Sequence, residues 1–360
     1  MKILHVLTAP RAQGTPRLVL DWIAVGDHDH EILFLSPEGN IKQTFQDTGV
    51  WQFYNNDFTL GYQSIPLLIR LVKRICRERR PELVISWTFG LSHWVTIGAR
   101  IGGVRKVLAH CGNPPGNGFM KKYFQTYLCF YLGWLFGNKV IACSKFVREQ
   151  YRQILPGGFP ELHVVYNALH THRFYAPPGH DDSGRRDVSM IGYLEEARDH
   201  RTLLHAWKEI EDRIPGATLN VIGDGTLREE LESLSQKLEL KRVNFTGRLD
   251  DVRQYLWKTR VYAFSTLKEG FGTSLLEALA AGCFVVATDV PACREVLQDG
   301  RYGTLVPIRN RRSFAEAILQ SWITQRSEEK LNEQLDYAKT FSPKRMMEGY
   351  IKVAALIRGK

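Results

Sequence analysis

Residues 260–289 read RVYAFSTLKEGFGTSLLEALAAGCFVVATD and contain the most informative pattern in the chain. An apolar run at Arg260–Ser265 predicts a strand, and a glycine-bearing loop follows it. Apolar residues at helical spacing then predict a helix that begins near Thr273. A second apolar run at Phe284–Ala287 predicts the next strand. Strand, helix and strand in this order predict a parallel sheet covered by helices.

The same alternation extends over most of the chain. Strands are predicted before residue 170 at Lys2–Leu7, Glu31–Ser36, Leu83–Trp87, Lys106–His110 and Lys139–Ala142. After residue 170 they are predicted at Val188–Tyr193, Ala217–Ile222, Arg242–Thr246 and the two segments named above. Two such series predict an α/β protein with two doubly wound parallel-sheet domains, and a ligand cleft is expected between them. The Pro- and Gly-rich stretch Tyr175–Arg186 indicates that the domain boundary lies close by.

The composition excludes several classes of protein. Of the 360 residues, 44% are hydrophobic and 24% are charged, which is ordinary for a globular protein and not for a disordered, collagenous or coiled-coil chain. The N-terminal sequence lacks the pattern of a signal peptide, and no run reaches the ~18 apolar residues of a membrane-spanning helix. The six cysteines form no C-x-x-C pair. They are typical of a reduced, cytoplasmic protein.

The loop before the predicted helix has the composition of an anion site. Free backbone N–H groups at a helix start, with glycines that permit close approach, favour binding of a phosphate. Glu269 stands before this helix and Glu277 lies inside it, eight residues further on. Because carboxylates repel a bare phosphate, the pair suits a ligand that also carries hydroxyl groups. A ribose and a hexose on either side of a diphosphate match that description.

Glu269 through Glu277 resembles the E-x₇-E signature of the retaining glycosyltransferases of family 4, which have two Rossmann-like domains in the GT-B fold. The resemblance covers essentially the whole chain. Its other matching pieces are Gly192-x-Leu194 with Arg198, Val221–Gly225, Phe245–Arg248, Cys143–Val147, Val164–Asn167, Ala281-Gly282, Thr288–Pro291, Glu295 and Gly303. It implies an N-terminal acceptor domain (1–170), a C-terminal donor domain (171–342) and a final helix (343–360) that crosses back onto the N-terminal domain.

The resemblance also implies roles for individual residues. Glu269 would bind hydroxyls of the donor sugar, Glu277 the ribose, and Arg198 the diphosphate as charge builds on the leaving group. His110, at the end of a predicted strand, would lie near the reaction centre, and with Glu269 and Arg198 it makes up the predicted catalytic set. The predicted donor-binding set is Gly14, Gly192, Arg198, Gly247, Arg248, Glu269, Gly270, Phe271, Gly272, Thr273 and Glu277.

Some positions depart from the family pattern. Tyr193 stands where the family usually has an arginine, Ser86-Trp87-Thr88 replaces a frequent histidine-containing strand end, and Asn167–His170 replaces the usual Asn-Gly-x-Asp. Asp27-His28-Asp29 spells a D-x-D, but it follows the first predicted helix, far from the nucleotide motif, and is interpreted as a loop. The expected donor is a UDP- or GDP-sugar, without a cofactor or metal.

The positive charge is concentrated in the first half of the chain. The net charge is +10 overall, +8 for residues 1–170 and +12 for residues 70–148. Pro66–Arg80 predicts an amphipathic helix whose apolar stripe runs from Leu67 to Cys76. Its basic face includes Arg70, Lys73, Arg74 and Arg77. This face is either solvated or turned to an anionic partner.

Residues 119–136 contain eight aromatic side chains, which is typical either of deep burial or of a membrane interface. Lys121, Lys122, Tyr123 and Trp134 belong to this segment and are candidates for a membrane or acceptor side. The sequence leaves core packing and a seat on an anionic membrane open.

The sequence therefore predicts a retaining, metal-independent hexosyltransferase of polysaccharide or lipid-linked glycan synthesis. It is expected in the cytoplasm, with a peripheral position on the inner face of the membrane. A nucleotide-sugar-binding protein without turnover is one alternative, motivated by Tyr193. A basic nucleic-acid-binding protein is another, which the absence of zinc-finger spacing and of a recognition-helix unit disfavours.

Overall fold

The computed structural model describes residues 1–11, 14–116, 123–124, 126–155, 161–177 and 184–357. The chain divides into two compact units. The N-terminal unit comprises Met1–Ala168 with Pro343–Lys360, and the C-terminal unit comprises Leu169–Ser342. Each unit contains one parallel sheet with helices packed on it. The predicted pair of doubly wound α/β domains is therefore confirmed.

The N-terminal unit is built on a seven-stranded sheet with strand order β3-β2-β1-β4-β5-β6-β7. Its strands are β1 (Lys2–Leu7), β2 (Asp29–Phe34), β3 (Trp51–Tyr54), β4 (Leu83–Ser86), β5 (Lys106–Cys111), β6 (Lys139–Ala142) and β7 (Leu162–Val164). Its helices are α1 (Gly14–Val25), α2 (Lys42–Gln46), α3 (Ile65–Arg79), α4 (Ser92–Ile101), α5 (Thr126–Leu135), α6 (Lys145–Arg152) and the last helix of the chain, α14 (Pro343–Ala355).

The C-terminal unit repeats the plan with a six-stranded sheet of order β10-β9-β8-β11-β12-β13. Its strands are β8 (Asp187–Ile191), β9 (Leu219–Ile222), β10 (Val243–Gly247), β11 (Thr259–Phe264), β12 (Phe284–Thr288) and β13 (Thr304–Val306). Its helices are α7 (His200–Ile210), α8 (Arg228–Lys237), α9 (Arg253–Lys258), α10 (Thr273–Ala280), α11 (Pro291–Val296), α12 (Arg311–Ile323) and α13 (Glu328–Lys339).

Alternation along the strands explains why helices cover both faces of the N-terminal sheet. In β1, Ile3 packs in a core cluster with Trp22 of α1 and Tyr350 of α14. Its neighbour Leu4 points to the opposite face, into a cluster that includes Val72 of α3. Successive side chains of a strand point to opposite faces, so a strand covered on both sides is apolar throughout.

In both sheets the strand order reverses beside the first strand of the unit. Strand β1 lies between β2 and β4, and β8 lies between β9 and β11. The helices after neighbouring strands therefore leave toward opposite faces at β1/β4 and at β8/β11. In open α/β sheets this switch point opens a crevice at the carboxyl ends of the strands, where ligands bind.

All ten predicted strands form, and each of their ends lies within two residues of its predicted position. The strands β3, β7 and β13 were not predicted, and each lies at an edge of its sheet. Within the polar stretch Tyr175–Arg186, Arg185 is unexpectedly buried, with only 6% of its surface exposed. Its guanidinium donates to the carbonyl oxygens of Leu256, Thr259 and Ala281. Residues 178–183 of that stretch lie outside the described residues.

Candidate functional site

The candidate site in the C-terminal unit begins with an ion pair at the switch point. Arg198 lies in the segment that follows β8, and Glu269 lies in the loop between β11 and α10. The distance from Arg198 Nη1 to Glu269 Oε2 is 2.6 Å, and the two side chains are 23% and 12% exposed. Sequence comparison implied separate roles for these residues on the diphosphate and on the sugar. The structure shows that they are direct partners.

Neighbouring groups hold the two charged side chains in place. Arg198 Nη1 also lies 3.2 Å from Thr266 Oγ1 and 3.2 Å from the carbonyl oxygen of Lys268. The second carboxylate oxygen of Glu269 accepts the backbone N–H of Gly270 at 2.8 Å. Because a carboxylate has about four lone-pair positions, Glu269 can still accept hydrogen bonds from a ligand's hydroxyl groups.

Thr266 is fixed in turn by the next strand of the sheet. Its backbone N–H donates to Thr288 Oγ1 at 2.7 Å, and the Thr288 hydroxyl donates back to the Thr266 carbonyl at 2.8 Å. Both threonines are fully buried. The end of β12 therefore contributes to the shape of the β11–α10 loop. The sequence contained Thr288 as part of a family motif but gave no indication of this contact.

Glycines permit the loops after β8, β9 and β10 to meet at the same edge. The Gly223 N–H donates to the Gly247 carbonyl at 3.0 Å. A Cβ on Gly223 would lie 1.9 Å from the carbonyl oxygen of Gly192. Gly192 itself lies beside the Arg198 side chain, 3.5 Å from its Cδ to an added Cβ. The absence of side chains at these glycines therefore lets the three loops approach one another closely at the carboxyl edge of the sheet.

The N-terminus of α10 opens at this edge. Gly272 precedes the helix with φ +86°, a left-handed conformation that favours glycine. Phe271 is buried, whereas Thr273 and Glu277 are half-buried. The first N–H groups of an α-helix have no partner within the helix and carry partial positive charge. The predicted segment Gly270–Glu277 thus combines a helix N-terminus with a carboxylate one turn inside the helix.

In the N-terminal unit, His110 occupies the carboxyl end of β5. Its ring is 2% exposed, and burial lowers the His110 pKa to about 4. The imidazole is therefore neutral at pH 7. Its Nδ1 lies 2.6 Å from the hydroxyl of Tyr350 on α14. Sequence reasoning identified His110 but not Tyr350, which is 240 residues away.

An aromatic cluster surrounds this histidine. Trp87, which follows β4, lies 4.9 Å from His110 between ring centroids and 5.5 Å from Tyr350. The indole N–H of Trp87 donates to His5 Nδ1 at 3.0 Å. Trp87 is one of the departures from the family pattern, and here it is a packing partner of His110.

The remaining predicted residues are spread over several places. Gly14 is exposed at the first position of α1, Arg248 is exposed after β10, and Tyr193 is 42% exposed after β8. Lys121 and Lys122 lie outside the described residues.

The predicted basic helix is α3, and Arg70, Arg74 and Arg77 are exposed on it while Lys73 is half-buried. Leu67 was predicted in its apolar stripe, which is wrong: it is 42% exposed in the first turn of α3, before the buried face begins at Leu68.

Helix α5 shows which side chains of the aromatic segment 119–136 are buried and which are exposed. Its inner face, with Cys129 and Phe130, is buried. Tyr131 and Trp134 are 51% and 54% exposed, and Phe124 and Leu135 are exposed as well. Tyr123 is half-buried. The segment therefore supplies core on one side and an apolar surface on the other.

The described ranges contain neither a metal-ligand cluster nor a membrane-spanning helix. Among the residues placed by the structure, no group of three or more His, Cys, Asp or Glu side chains could hold a metal ion. No helix in these ranges combines the length and the hydrophobicity needed to cross a bilayer.

Comparison with known proteins adds to this geometry. Residues 185–322 match the family described as glycosyl transferases group 1. The N-acetylgalactosamine-N,N'-diacetylbacillosaminyl-diphospho-undecaprenol 4-alpha-N-acetylgalactosaminyltransferase of Campylobacter jejuni is 26% identical over 268 residues, 72% of each chain. The lipopolysaccharide core biosynthesis glycosyltransferase LpsE of Rhizobium meliloti is 27% identical over 262 residues, 71% of this chain and 69% of LpsE.

Solved structures agree on the fold. Anabaena Alr3699/HepE in complex with UDP superimposes with a TM-score of 0.83 at 20% identity, over 99% of this chain and 100% of that one. WaaG, a glycosyltransferase involved in lipopolysaccharide biosynthesis, gives 0.68 at 14% identity, over 99% and 100% of the two chains. The architecture is thus the two-domain GT-B fold. Residues 185–322 are thus similar to the group 1 glycosyltransferases, and about 70% of the chain is similar to the two bacterial glycosyltransferases.

Proposed function

We propose that this protein is a retaining glycosyltransferase that transfers a hexose from a UDP- or GDP-sugar to a hydroxyl group. The observation that carries the proposal is the Arg198–Glu269 pair at the β8/β11 switch point, beside the N-terminus of α10. A cation, a carboxylate and a helix start at one edge provide partners for a diphosphate and for sugar hydroxyls. In this proposal Glu277, one turn into α10, binds the ribose.

The proposed mechanism is a displacement on one face of the sugar. The bond from the anomeric carbon to the phosphate oxygen breaks, and the bond to the acceptor oxygen forms on the same face. The acceptor's proton passes to the departing phosphate oxygen. Arg198 and the N–H groups of α10 stabilise the charge that develops on that oxygen. In this proposal His110, whose ring is neutral at pH 7, is the third catalytic residue.

The acceptor we propose is lipid-linked or part of a cell-surface polysaccharide. Support comes from the relatives, since the Campylobacter enzyme is named for a diphospho-undecaprenol acceptor and LpsE for the lipopolysaccharide core. The Alr3699/HepE structures contain UDP and UDP-glucose, which favours a UDP-sugar as the first donor to test.

A donor panel tests this function. The protein is incubated with UDP-, GDP- and ADP-sugars, and release of the nucleoside diphosphate is measured with and without lipid-linked and glycan acceptors. We expect one donor to be turned over, with the anomeric configuration retained in the product by NMR. Glu316→Ala, at an exposed carboxylate paired with Arg312 on α12, serves as a control that keeps full activity. Binding of donors without any turnover would identify a nucleotide-sugar-binding protein, and inversion would contradict retention.

We also propose that the N-terminal unit seats on the inner, anionic face of a membrane. Helix α4 packs against both α3 and α5, so these three helices are neighbours. Tyr131 and Trp134 are exposed on α5, with ring centroids 6.3 Å apart, and Arg70 and Arg77 are exposed on α3. Exposed aromatic and basic side chains on helices of one unit suit the interface of an anionic bilayer.

Vesicle sedimentation tests this seat. Binding should be stronger to vesicles that contain phosphatidylglycerol than to phosphatidylcholine alone, and it should weaken in salt. Trp134→Ala and Arg70→Glu should each reduce it, whereas Ile323→Ala, which removes an exposed apolar side chain of the C-terminal unit, should not. Equal binding to both vesicle types, or a salt-dependent shift on mixed DNA without vesicle binding, would contradict the proposal.

A further inference from the structure

We infer that Tyr350 is a positioning residue that fixes the tautomer of His110 with the proton on Nε2. The inference rests on the proposed function, because it concerns how a reaction-centre histidine is prepared. It assigns a role to α14, the helix that returns to the N-terminal unit after the C-terminal unit has been completed.

A hydrogen bond joins the Tyr350 hydroxyl to the His110 ring. The Tyr350 oxygen lies 2.6 Å from His110 Nδ1, and both side chains are buried. A tyrosine hydroxyl has one proton to donate, and a neutral imidazole has one nitrogen that accepts. Within the described residues, His110 Nδ1 is the hydrogen-bond partner the structure gives this hydroxyl. If Nδ1 carried the proton instead, the Tyr350 proton would be buried without an acceptor, which is costly.

The other ring nitrogen of His110, Nε2, lies beside Gly112. An added Cβ on Gly112 would lie 2.9 Å from His110 Nε2, so this nitrogen faces the start of the loop after β5. The carbonyl of Gly112 is held by the thiol of Cys143, at the end of β6, with 3.3 Å between sulfur and oxygen. With Nδ1 occupied by Tyr350, Nε2 presents an N–H donor at the carboxyl edge of the sheet.

Packing against Trp87 keeps the His110 ring from turning. Trp87 lies against His110, and its own orientation is set by its hydrogen bond to His5 Nδ1. His5 accordingly carries its proton on Nε2 and donates to His30 Nδ1 at 2.9 Å. Burial lowers the His5 pKa well below its usual value, so this chain of hydrogen bonds is neutral. Two independent contacts, a hydroxyl and an indole, therefore hold His110 in one orientation.

A fixed Nε2–H is useful to the proposed reaction because the ring then always offers a hydrogen-bond donor, never an acceptor, to a substrate oxygen. The ring can neither accept at Nε2 nor rotate away while Tyr350 and Trp87 are in place. The last helix of the chain thereby becomes part of the reaction centre's support, although no motif in the sequence indicates it.

The direct test is ¹⁵N NMR of protein labelled at histidine, which reports the protonated ring nitrogen without any need for turnover. We expect His110 in the native protein to be protonated at Nε2 and the Tyr350→Phe variant to show a mixture of tautomers. Tyr54→Phe, which removes a hydroxyl bonded to Gln52 in the same unit, is the matched control and should leave the His110 signals unchanged. Protonation of His110 at Nδ1 in the native protein would overturn the inference.

Kinetics provide the second readout. Tyr350→Phe should lower kcat/KM about tenfold, the size of one hydrogen bond's contribution to a barrier. In the His110→Gln background it should have no further effect, because the glutamine amide donates without a choice of tautomer. An equal loss in both backgrounds would show a merely structural role. Failure of every donor to turn over would count against the proposed function alone, since the NMR result stands independently.

Discussion

The Arg198–Glu269 pair makes a quantitative prediction about both stability and catalysis. Exposed ion pairs contribute about 0–1 kcal/mol, whereas breaking a buried pair by removing one partner costs about 3–5 kcal/mol. With side chains 23% and 12% exposed, this pair lies between these cases. Arg198→Ala also removes the contacts to Thr266 and Lys268. We therefore expect the free energy of unfolding to fall by about 2 kcal/mol.

Adding Glu269→Gln to Arg198→Ala separates the effect of the unpaired charge from the effect of the lost contacts. In Arg198→Ala the Glu269 carboxylate keeps its charge but loses its partner, so a further Glu269→Gln change should restore about 1 kcal/mol. Urea unfolding of the two single variants and the double variant measures the coupling. Turnover of Arg198→Ala should be about 100-fold lower if the guanidinium also stabilises the leaving diphosphate. Additive stability losses would show that the two side chains are not coupled, and native turnover by Arg198→Ala would exclude a role for the guanidinium in the reaction.

Three further predictions concern burial and close approach. Gly112→Ala should lower turnover about tenfold, because the added Cβ would lie 2.9 Å from His110 Nε2 and the His110 ring is held in place by its neighbours. Turnover equal to that of the native protein would contradict this prediction. Lowering the pH from 7 to 5 should reduce the free energy of unfolding, measured in urea, by about 2 kcal/mol for each of His30, His93 and His110. Burial lowers each of these pKa values to about 4, so the unfolded chain takes up the protons first and stability is lost below about pH 6.5; a flat profile would contradict it. Arg185→Met should lower the stability by about 3 kcal/mol or more by removing bonds to three carbonyl groups, and an unchanged melting temperature would count against their importance.

Much of the fold could be predicted because the central strands are buried on both faces and therefore read as continuous apolar runs. Strands β1 and β6 were predicted to the residue. Strand β3 (Trp51–Tyr54) is only half-buried along its whole length, and its sequence mixes polar with aromatic residues. Edge strands such as this lack the pattern that marks a central strand, so their existence became apparent only from the sheet.

The candidate site shows a different limit of sequence reasoning. Motif spacing identified Glu269 and Arg198 individually, but 71 residues separate them and nothing in either motif indicates a direct bond. Tyr350 lies in a helix whose apolar spacing predicts core packing, and it does pack in the core. Only the three-dimensional arrangement shows that its hydroxyl meets His110. Long-range pairs of this kind follow from topology, which local pattern does not encode.

The charge distribution is an intermediate case. The sequence located the basic residues and the aromatic segment but could not decide between burial and exposure for the latter. The structure divides α5 between the two, with Phe130 inward and Trp134 outward. A helix that is apolar on all sides gives no periodicity from which to choose its buried face.

In the function we propose, the carboxyl edge of the C-terminal sheet binds a nucleoside diphosphate through α10. The most direct test is calorimetric titration of UDP and GDP into the native protein and the Glu277→Ala variant. We expect the native protein to bind one of the two nucleotides. We expect the variant to bind it with an affinity about 10- to 100-fold lower, at an unchanged melting temperature. Equal affinity for the two proteins, or no binding of either nucleotide to the native protein, would contradict this proposal.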